Sequence, residues 1–400
     1  MVKRLLLLSL LSVSSLSYSM EERQTEENAS TKMPNEINTY VVYSHGFGES
    51  GEGKWQFKFL GDKISAPVYP DAPGNLGKAV FYTKPAVHTL ANHLYDIAHK
   101  EDCKKIVLVG RSCGAGTALN CLAKLANYEK NREYFNGSQI ASSEDAQKII
   151  AKINNGALIK TAPFLSLRKA NAIAIPSSVL AGATMVGVTA AASCVGPSFC
   201  EGTMDSEVAK WGFLAAGVAV YYILGDCIKN AYAHGIVRWI MPKISNNNFD
   251  PHHADPLQSV EQLRGKLQCP MLLHFNKNDK VLENPDEDTV KVYDALKGDK
   301  MHIIITDDSW HNGDSSQFNA ALNKFNAQYL KDEKKSTKKN DTLVHQTKNG
   351  LRIIDTQPTV QELRTQIRAH RGIIERNAKY AVAGSVLALG AAYKSMLSRE

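Results

Sequence analysis

The sequence has few cysteines, and their spacing excludes the common zinc sites. There are seven in 400 residues, an odd number, and none of the spacings gives the paired CxxC pattern of a structural zinc site. His252 and His253 are adjacent, but no third ligand follows at a useful distance. We therefore predict no metal site.

The sequence also lacks the features of a nucleic-acid-binding protein. The formal net charge is +7, but much of the excess lies in 331–348, where six lysines stand against three acidic residues. No aromatic residues are interleaved with these lysines, and no known binding motif accompanies them. We interpret 331–357 as a lysine-rich solvated linker and expect no nucleic-acid partner.

Two long stretches, Ala170–Cys200 and Trp211–Gly225, contain no charged side chain. As a helix, the second would reach only about 23 Å, short of the roughly 30 Å of a bilayer's hydrocarbon core. The first is long enough, but Pro176 interrupts it and small side chains dominate it. We expect this region to meet a membrane surface or acyl chains without spanning a bilayer. The alternative is that its apolar residues form internal core.

The N-terminus has the pattern of a secretory signal peptide. Lys3 and Arg4 precede an apolar run, and small residues near Ser19 suit cleavage, so 1–19 is excluded from the fold. Residues 20–37 are polar and are predicted to be disordered. The signal predicts export to the periplasm or the medium, where disulfides persist. Cys194 and Cys200 bracket a turn-like sequence and are the disulfide candidates, with a reduced pair as the alternative.

Short apolar strands alternate with amphipathic helices along 38–330, which predicts a mostly parallel sheet covered on both faces by helices. The alternation breaks down over 165–255, a predicted insertion. The predicted strands are Thr39–Ser44, 66–69, 106–109, 157–160, 271–275 and 302–305. The predicted helices are 87–98 and 115–125.

The C-terminal tail, 358–400, is predicted to be helical. Thr359 and Glu362 form a capping box after Pro358. Val360 and Leu363 begin an apolar face. The later uncharged run 380–393 is short for a membrane span, so an amphipathic surface anchor or a helix docked on the body is expected.

The stretch VGRSCGAGTA (109–118) contains the pattern G-x-S-x-G between a predicted strand and a predicted helix. Small residues at Gly110 and Gly114 allow a sharp turn that exposes the hydroxyl of Ser112 above the sheet. Backbone N–H groups of the helix N-terminus lie behind it. Alone, the pattern is only moderately specific, because short glycine-rich turns are common.

Four further stretches resemble segments of the α/β-hydrolase family. These are YSHGFGES (43–50), APVYPDAPG (66–74), CPMLLHFNKNDKVL (269–282) and MHIIITDDSWHNG (301–313). The resemblance covers roughly 39–165 and 255–330, and leaves out the insertion and the tail. It implies an α/β-hydrolase fold in which the largely helical apolar insertion stands where the family often carries a cap over the active site.

The resemblance assigns a role to each site residue. Ser112 would be the nucleophile, His311 its general base, and Asp279 the group that orients the imidazole. Asp286 and Asp288 are the rivals of Asp279. Backbone N–H groups of Phe47 and Cys113 would form the oxyanion hole. The thiol of Cys113 is a weak alternative nucleophile, because serine holds the central position. The residues expected to support the site are His45, Gly46, Gly110 and Gly114.

These roles imply a serine hydrolase that needs no cofactor and cleaves a small-molecule or lipid-like acyl ester through a covalent acyl-enzyme. A thioesterase, an acyltransferase or a peptidase would use the same three residues. The rival from another class is a membrane-associated interaction protein built on an inactive hydrolase scaffold. Its support is the apolar insertion and the basic-apolar tail. The sequence does not fix the oligomeric state.

Overall fold

The computed structural model describes most of the body of the chain. The described residues are 38–46, 51–69, 83–163, 165–199, 206–244, 249, 255–276, 279, 281–283, 285–298, 300–306, 311, 316–331 and 358–368.

The core of the molecule is a six-stranded sheet in which every pair of neighbouring strands is parallel. The order across the sheet is β2-β1-β3-β4-β5-β6. The strands are β1 Thr39–Ser44, β2 Lys63–Ser65, β3 Lys105–Arg111, β4 Ala157–Thr161, β5 Met271–Asn276 and β6 Met301–Thr306. Strands β3, β4 and β5 are nearly all buried, which agrees with their continuous apolar sequences.

One predicted strand was wrong. The run 66–69 lies beyond β2, which pairs Lys63–Ser65 with Tyr40, Val41 and Val42. Pro67 has no N–H to donate to a strand ladder. Val68 is 89% exposed, so the chain has left the sheet at this point. The other five predicted strands are confirmed to within one or two residues at each end.

Helices cover both faces of the sheet, as predicted. The longer α-helices in the described part of the chain are α1 Lys84–Ala98, α2 Cys113–Ala126, α3 Ser143–Asn154, α4 Asn171–Phe199, α5 Ser206–Gly235, α6 Glu287–Leu296, α7 Ser316–Tyr329 and α8 at 360–368. Helices α1, α2, α3 and α6 share one apolar core with one face of the sheet. Helix α7 and a 3-10 helix, Glu52–Leu60, pack on the other face.

The insertion forms a helical hairpin whose second helix is twice as long as its apolar run suggested. Helices α4 and α5 have 29 and 30 residues, which corresponds to about 45 Å each. The predicted 15-residue run Trp211–Gly225 is therefore only the middle of α5. The turn predicted at 195–199 was also wrong, because α4 stays helical through Phe199. The two helices pack against each other, and such packing overrides local turn propensity.

One helix in the described part of the chain is long and apolar enough to cross a membrane. The segment is Asn171–Ala190 in α4, with a mean hydropathy of 1.6.

Helix α8 packs against the body. Its capping box is present, since Thr359 N–H donates to Glu362 and Glu362 N–H donates to Thr359 Oγ1. Leu363 is fully buried in the main core. Arg364 pairs with Glu287 of α6 at 2.7 Å. The run 380–393 lies outside the described residues.

Candidate active site

Ser112 occupies a sharp turn between the end of β3 and the start of α2. Its backbone has φ 51° and ψ −122°, a conformation that costs energy for a residue with a side chain. The carbonyl of Thr161, at the end of the neighbouring β4, accepts the N–H of Ser112 at 3.0 Å. A strained turn held by a backbone hydrogen bond is the geometry expected of a nucleophile elbow.

Two glycines permit this turn because other backbone passes close to them. A Cβ at Gly114 would lie 2.1 Å from the carbonyl oxygen of Ser44 and 2.3 Å from that of His45. A Cβ at Gly110 would lie 2.7 Å from the Cα of Ala115. Gly114 therefore lets the start of α2 approach the end of β1, and Gly110 lets the end of β3 approach the start of α2.

His311 contacts both other members of the predicted constellation. Its Nε2 lies 2.6 Å from Ser112 Oγ, and its Nδ1 lies 2.6 Å from Asp279 Oδ2. Asp279 follows β5 and His311 follows β6. The carboxyl ends of parallel strands meet at one edge of the sheet, so residues 199 positions apart in sequence come into hydrogen-bond contact.

A strained serine follows a central strand, and an acid and a histidine follow two later strands. This order of strands and side chains decides the fold type. The chain has the α/β-hydrolase fold. The sequence-based prediction of fold class is confirmed.

Known proteins are similar to this chain only at a distance. No family model and no curated protein matches the chain. The chain is similar to a lipase/esterase from Lactobacillus plantarum, with 12% identity, TM-score 0.37, and 73% of this chain and 87% of that chain covered. It is also similar to an S-formylglutathione hydrolase from Agrobacterium tumefaciens, with 15% identity, TM-score 0.37, and coverages of 74% and 85%. Such low values decide nothing about activity or substrate.

The two hydrogen bonds of His311 determine which way a proton can move between Ser112 and the imidazole. A carboxylate can only accept, so Nδ1 of His311 carries the hydrogen that binds Asp279. In the neutral imidazole, Nε2 then has a free lone pair, and Ser112 Oγ donates to it. The imidazole is therefore oriented to take a proton from Ser112.

Asp279 is itself fixed by the backbone that follows it. Its Oδ1 accepts the N–H groups of Val281 at 2.7 Å and Leu282 at 2.9 Å. The other oxygen remains for His311. The side chain of Asp279 is only 2% exposed, so water competes little for it. We call residues 279–286 the acid loop.

The rivals of Asp279 have other partners. Asp286 caps helix α6 through the N–H groups of Asp288 and Thr289. Lys169 forms ion pairs with both Asp286 and Asp288. Neither carboxylate is paired with His311 in the described structure.

Only part of the predicted oxyanion hole can be described. Cys113 is the first residue of α2, and its side chain is buried in the main core, which disfavours it as a nucleophile. His45 Nδ1 donates to the carbonyl of Gly46 at 3.1 Å, and its ring packs edge-on against Tyr69. Phe47 lies outside the described residues.

Three other residues named in the sequence analysis also fall outside the described residues. Cys200 lies there, so the disulfide with Cys194 stays a prediction. His252 and His253 lie there as well. Within the described part of the chain, no three His, Cys, Asp or Glu side chains form a group that could hold a metal ion.

A buried histidine beneath the site was missed by the sequence analysis. His274 in β5 bonds Thr161 Oγ1 at 3.0 Å and Thr306 Oγ1 at 2.9 Å. It thereby links the ends of β4, β5 and β6, next to the segments that carry Asp279 and His311. Burial, with Arg111 nearby, lowers its pKa to about 3, so the ring is neutral near pH 7. A histidine inside an otherwise apolar strand, MLLHFN, was the available signal.

A buried lysine lies directly under the elbow. Lys160 of β4 is fully buried, and its Nζ would be 2.8 Å from a Cβ at Gly110. Among the described residues, no hydrogen-bond partner reaches this Nζ. Burial lowers the pKa of Lys160 to about 7. A lysine at the buried end of a strand also breaks the apolar pattern and could have been noticed.

Proposed function

We propose that this chain is a serine hydrolase that cleaves a carboxylic ester through a covalent acyl-enzyme. The observation that carries the proposal is the unbroken hydrogen-bond chain from Ser112 Oγ through His311 to Asp279, with both distances at 2.6 Å. A serine hydroxyl is a weak nucleophile near neutral pH, and this chain supplies the base that activates it.

The chemistry follows from the geometry. Ser112 Oγ attacks the acyl carbon while its proton passes to His311 Nε2, giving a tetrahedral oxyanion. The ester C–O bond then breaks, and the leaving alkoxide takes the proton from His311. Water, deprotonated by the same nitrogen, attacks the acyl-enzyme and releases the acid.

The oxyanion would be stabilised by backbone N–H groups at the start of α2. Cys113 immediately follows the nucleophile, and the residue after the nucleophile supplies one donor in this fold type. Phe47 is proposed as the second donor. Each such donor is worth about 10²–10³ in turnover.

The proposed substrate is a small-molecule or lipid-like acyl ester. The support for a lipid-like acyl group is the apolar hairpin, which presents large exposed aliphatic side chains such as Ile175 and Leu180. A thioester, an amide or an acyl acceptor other than water would use the same residues, so substrate class has to be tested directly.

The test combines a fluorophosphonate probe with nitrophenyl esters of graded acyl length. We expect the probe to label Ser112 and the esters to be hydrolysed. Ser112→Ala should lose labelling and lower turnover by about 10⁶, as loss of a triad serine can. Ser143→Ala, at the start of α3 away from the site, is the matched control. An unlabelled wild-type protein without esterase activity would contradict the proposal.

A further inference from the structure

The hairpin of α4 and α5 pairs two antiparallel helices through small residues. A Cβ at Gly217 would overlap Thr189, at 2.1 Å from its Oγ1, so the helices approach closely there. Nearer the base, Thr184 Oγ1 and the hydroxyl of Tyr232 are 2.6 Å apart. Close approach at Gly and Thr is the packing typical of helices in membranes.

The outward surface of α4 is entirely apolar. Over 171–190 every exposed residue is aliphatic or glycine. These residues are Ile175, Val179, Leu180, Ala183, Val186, Gly187, Val188 and Ala190. A helix on the surface of a water-soluble protein would show charged and polar residues here.

The polar side chains of α4 lie on the less exposed positions and bond to the helix itself. Ser177 Oγ donates to the carbonyl of Ile173 at 2.6 Å, and Ser178 Oγ to that of Ala174 at 2.7 Å. Thr184 Oγ1 lies 2.8 Å from the carbonyl of Leu180. This pattern, apolar outside and satisfied polar groups inside, is the reverse of a soluble helix and suits a hydrocarbon solvent.

The exposed residues also point in different directions, which identifies the partner. Leu180 lies about 100° around the helix from Val179, and Val188 about 160° from Val186. A protein groove covers one face of a helix, whereas lipid surrounds it. The segment Asn171–Ala190 is only 33% buried, so it is not a core helix.

We propose that the α4–α5 hairpin is embedded in a lipid bilayer through the exposed surface of 171–190 of α4, without spanning the bilayer. Its base would lie at the membrane surface, because polar residues return there in α5, with Asp226, Lys229 and His234. Trp239 follows and is 68% exposed. An exposed tryptophan beside charged residues is typical of the membrane–water interface.

The base of the hairpin is bonded to the acid loop, which ties the embedded part to the site. Asn171 N–H donates to Val281 O at 2.8 Å, and Glu283 N–H donates to Lys169 O at 3.1 Å. Lys229 pairs with Glu283 at 3.3 Å. The N–H of Val281 holds Asp279. The bilayer would therefore hold the active site at the lipid surface, a consequence that rests on the proposed function.

The first test maps the lipid contact directly. The full chain is mixed with phosphatidylcholine vesicles carrying a diazirine in the acyl chain, irradiated and digested. We expect lipid adducts on 175–190 of α4. Adducts confined to other segments would overturn the proposal.

The second test measures affinity at about 1 M salt, where the Debye length is about 3 Å and surface charge contributes little. The double variant Val179→Lys/Val186→Lys should partition into vesicles at least tenfold more weakly than wild type. Val68→Lys, which replaces an even more exposed valine outside the hairpin, should partition like wild type. Equal partitioning of all three proteins would overturn the proposal.

Activity separates this proposal from the proposed function. We expect the double variant to hydrolyse soluble short-chain esters like wild type and to lose activity on vesicle-bound esters. A wild type without activity on any ester would contradict the hydrolase alone, while lipid adducts on 175–190 would still support the embedded hairpin.

Discussion

At the scale of single residues, the proposed role of Asp279 is indirect. It determines which ring nitrogen of His311 carries the hydrogen, and so whether the other nitrogen can accept the proton of Ser112. Asp279→Asn keeps an oxygen for the N–H groups of Val281 and Leu282, so the fold should persist. Its amide would donate to Nδ1 and leave the hydrogen on Nε2, facing Ser112. We expect ester turnover to fall by about 10⁴, the cost of the wrong tautomer.

The control for Asp279→Asn is Asp286→Asn, because Asp286 was a rival for the same role and instead caps α6. Asparagine also caps helices well, so this variant should keep turnover within a few-fold of wild type. Steady-state kinetics on one ester compares the two. If Asp286→Asn were the more damaging change, the acid would have been assigned to the wrong carboxylate.

Lys160 gives the protein a stability that depends on pH. Its pKa in the folded state, about 7, is below the ordinary value of 10.5. Between these values the unfolded chain binds a proton that the folded chain does not, so the free energy of unfolding falls as pH falls. Below about pH 7 the loss of unfolding free energy is complete, and above about pH 10.5 there is no loss.

Lys160→Met removes this titration and fills a similar volume. At pH 7 we expect the midpoint of thermal unfolding, Tm, to rise by roughly 5 °C or more, because a few kcal/mol is worth several degrees in a chain of this size. The gain should shrink steadily as pH approaches 10. A gain independent of pH would mean that folding does not lower the pKa of Lys160.

At the scale of elements, the close packing of the start of α2 against the end of β1 depends on Gly114. Both near atoms, the carbonyl oxygens of Ser44 and His45, belong to backbone and cannot rotate away. Gly114→Ala should push His45–Gly46 from Ser112, lower turnover at least tenfold, and cost about 1–3 kcal/mol of unfolding free energy. Activity and denaturant unfolding are the measurements.

Gly182→Ala is the matched control for Gly114→Ala. Gly182 lies in α4, and a Cβ there meets nothing within 4 Å. Alanine should leave turnover unchanged and favour the helix by up to about 1 kcal/mol. Equal losses in both variants would show that the close approach at Gly114 does not control the site.

The strands and helices also show which elements could be predicted from the sequence. β3, β5 and β6 were predictable because continuous apolar runs are typical of strands buried on both faces. β2 was misplaced because it has only three residues, Lys63–Ser65, of which one is apolar, and it lies at the sheet edge, so no local pattern distinguishes it. The full length of α5 was missed because it depends on packing against α4, which composition does not reveal.

The candidate site also has parts that the sequence could predict and parts that it could not. Ser112, Asp279 and His311 were predictable because the G-x-S-x-G turn and the order of the segments carry a known mechanism. The groups that hold them were not. The carbonyl of Thr161 and the N–H groups of Val281 and Leu282 are backbone atoms, and their positions follow only from the folded chain.

At the scale of the whole molecule, helix α8 completes the main core from a distance in sequence. Leu363 and Ile367 are buried together with residues of β5 and α6. Tyr293 of α6 donates its hydroxyl to the carbonyl of Pro358 at 2.8 Å. The segment 358–368 is therefore part of the body.

Leu363→Ala tests this docking. Removing a fully buried leucine leaves a cavity, and we expect a loss of about 2–5 kcal/mol in unfolding free energy. Gln366→Ala changes an exposed residue of the same helix and should stay within about 0.5 kcal/mol of wild type. Urea unfolding of the two variants gives the comparison. Because α6 contacts the short helix Pro256–Glu261 and follows the acid loop, Leu363→Ala should also lower the temperature at which esterase activity is lost. Identical urea midpoints would mean that α8 does not stay docked in solution.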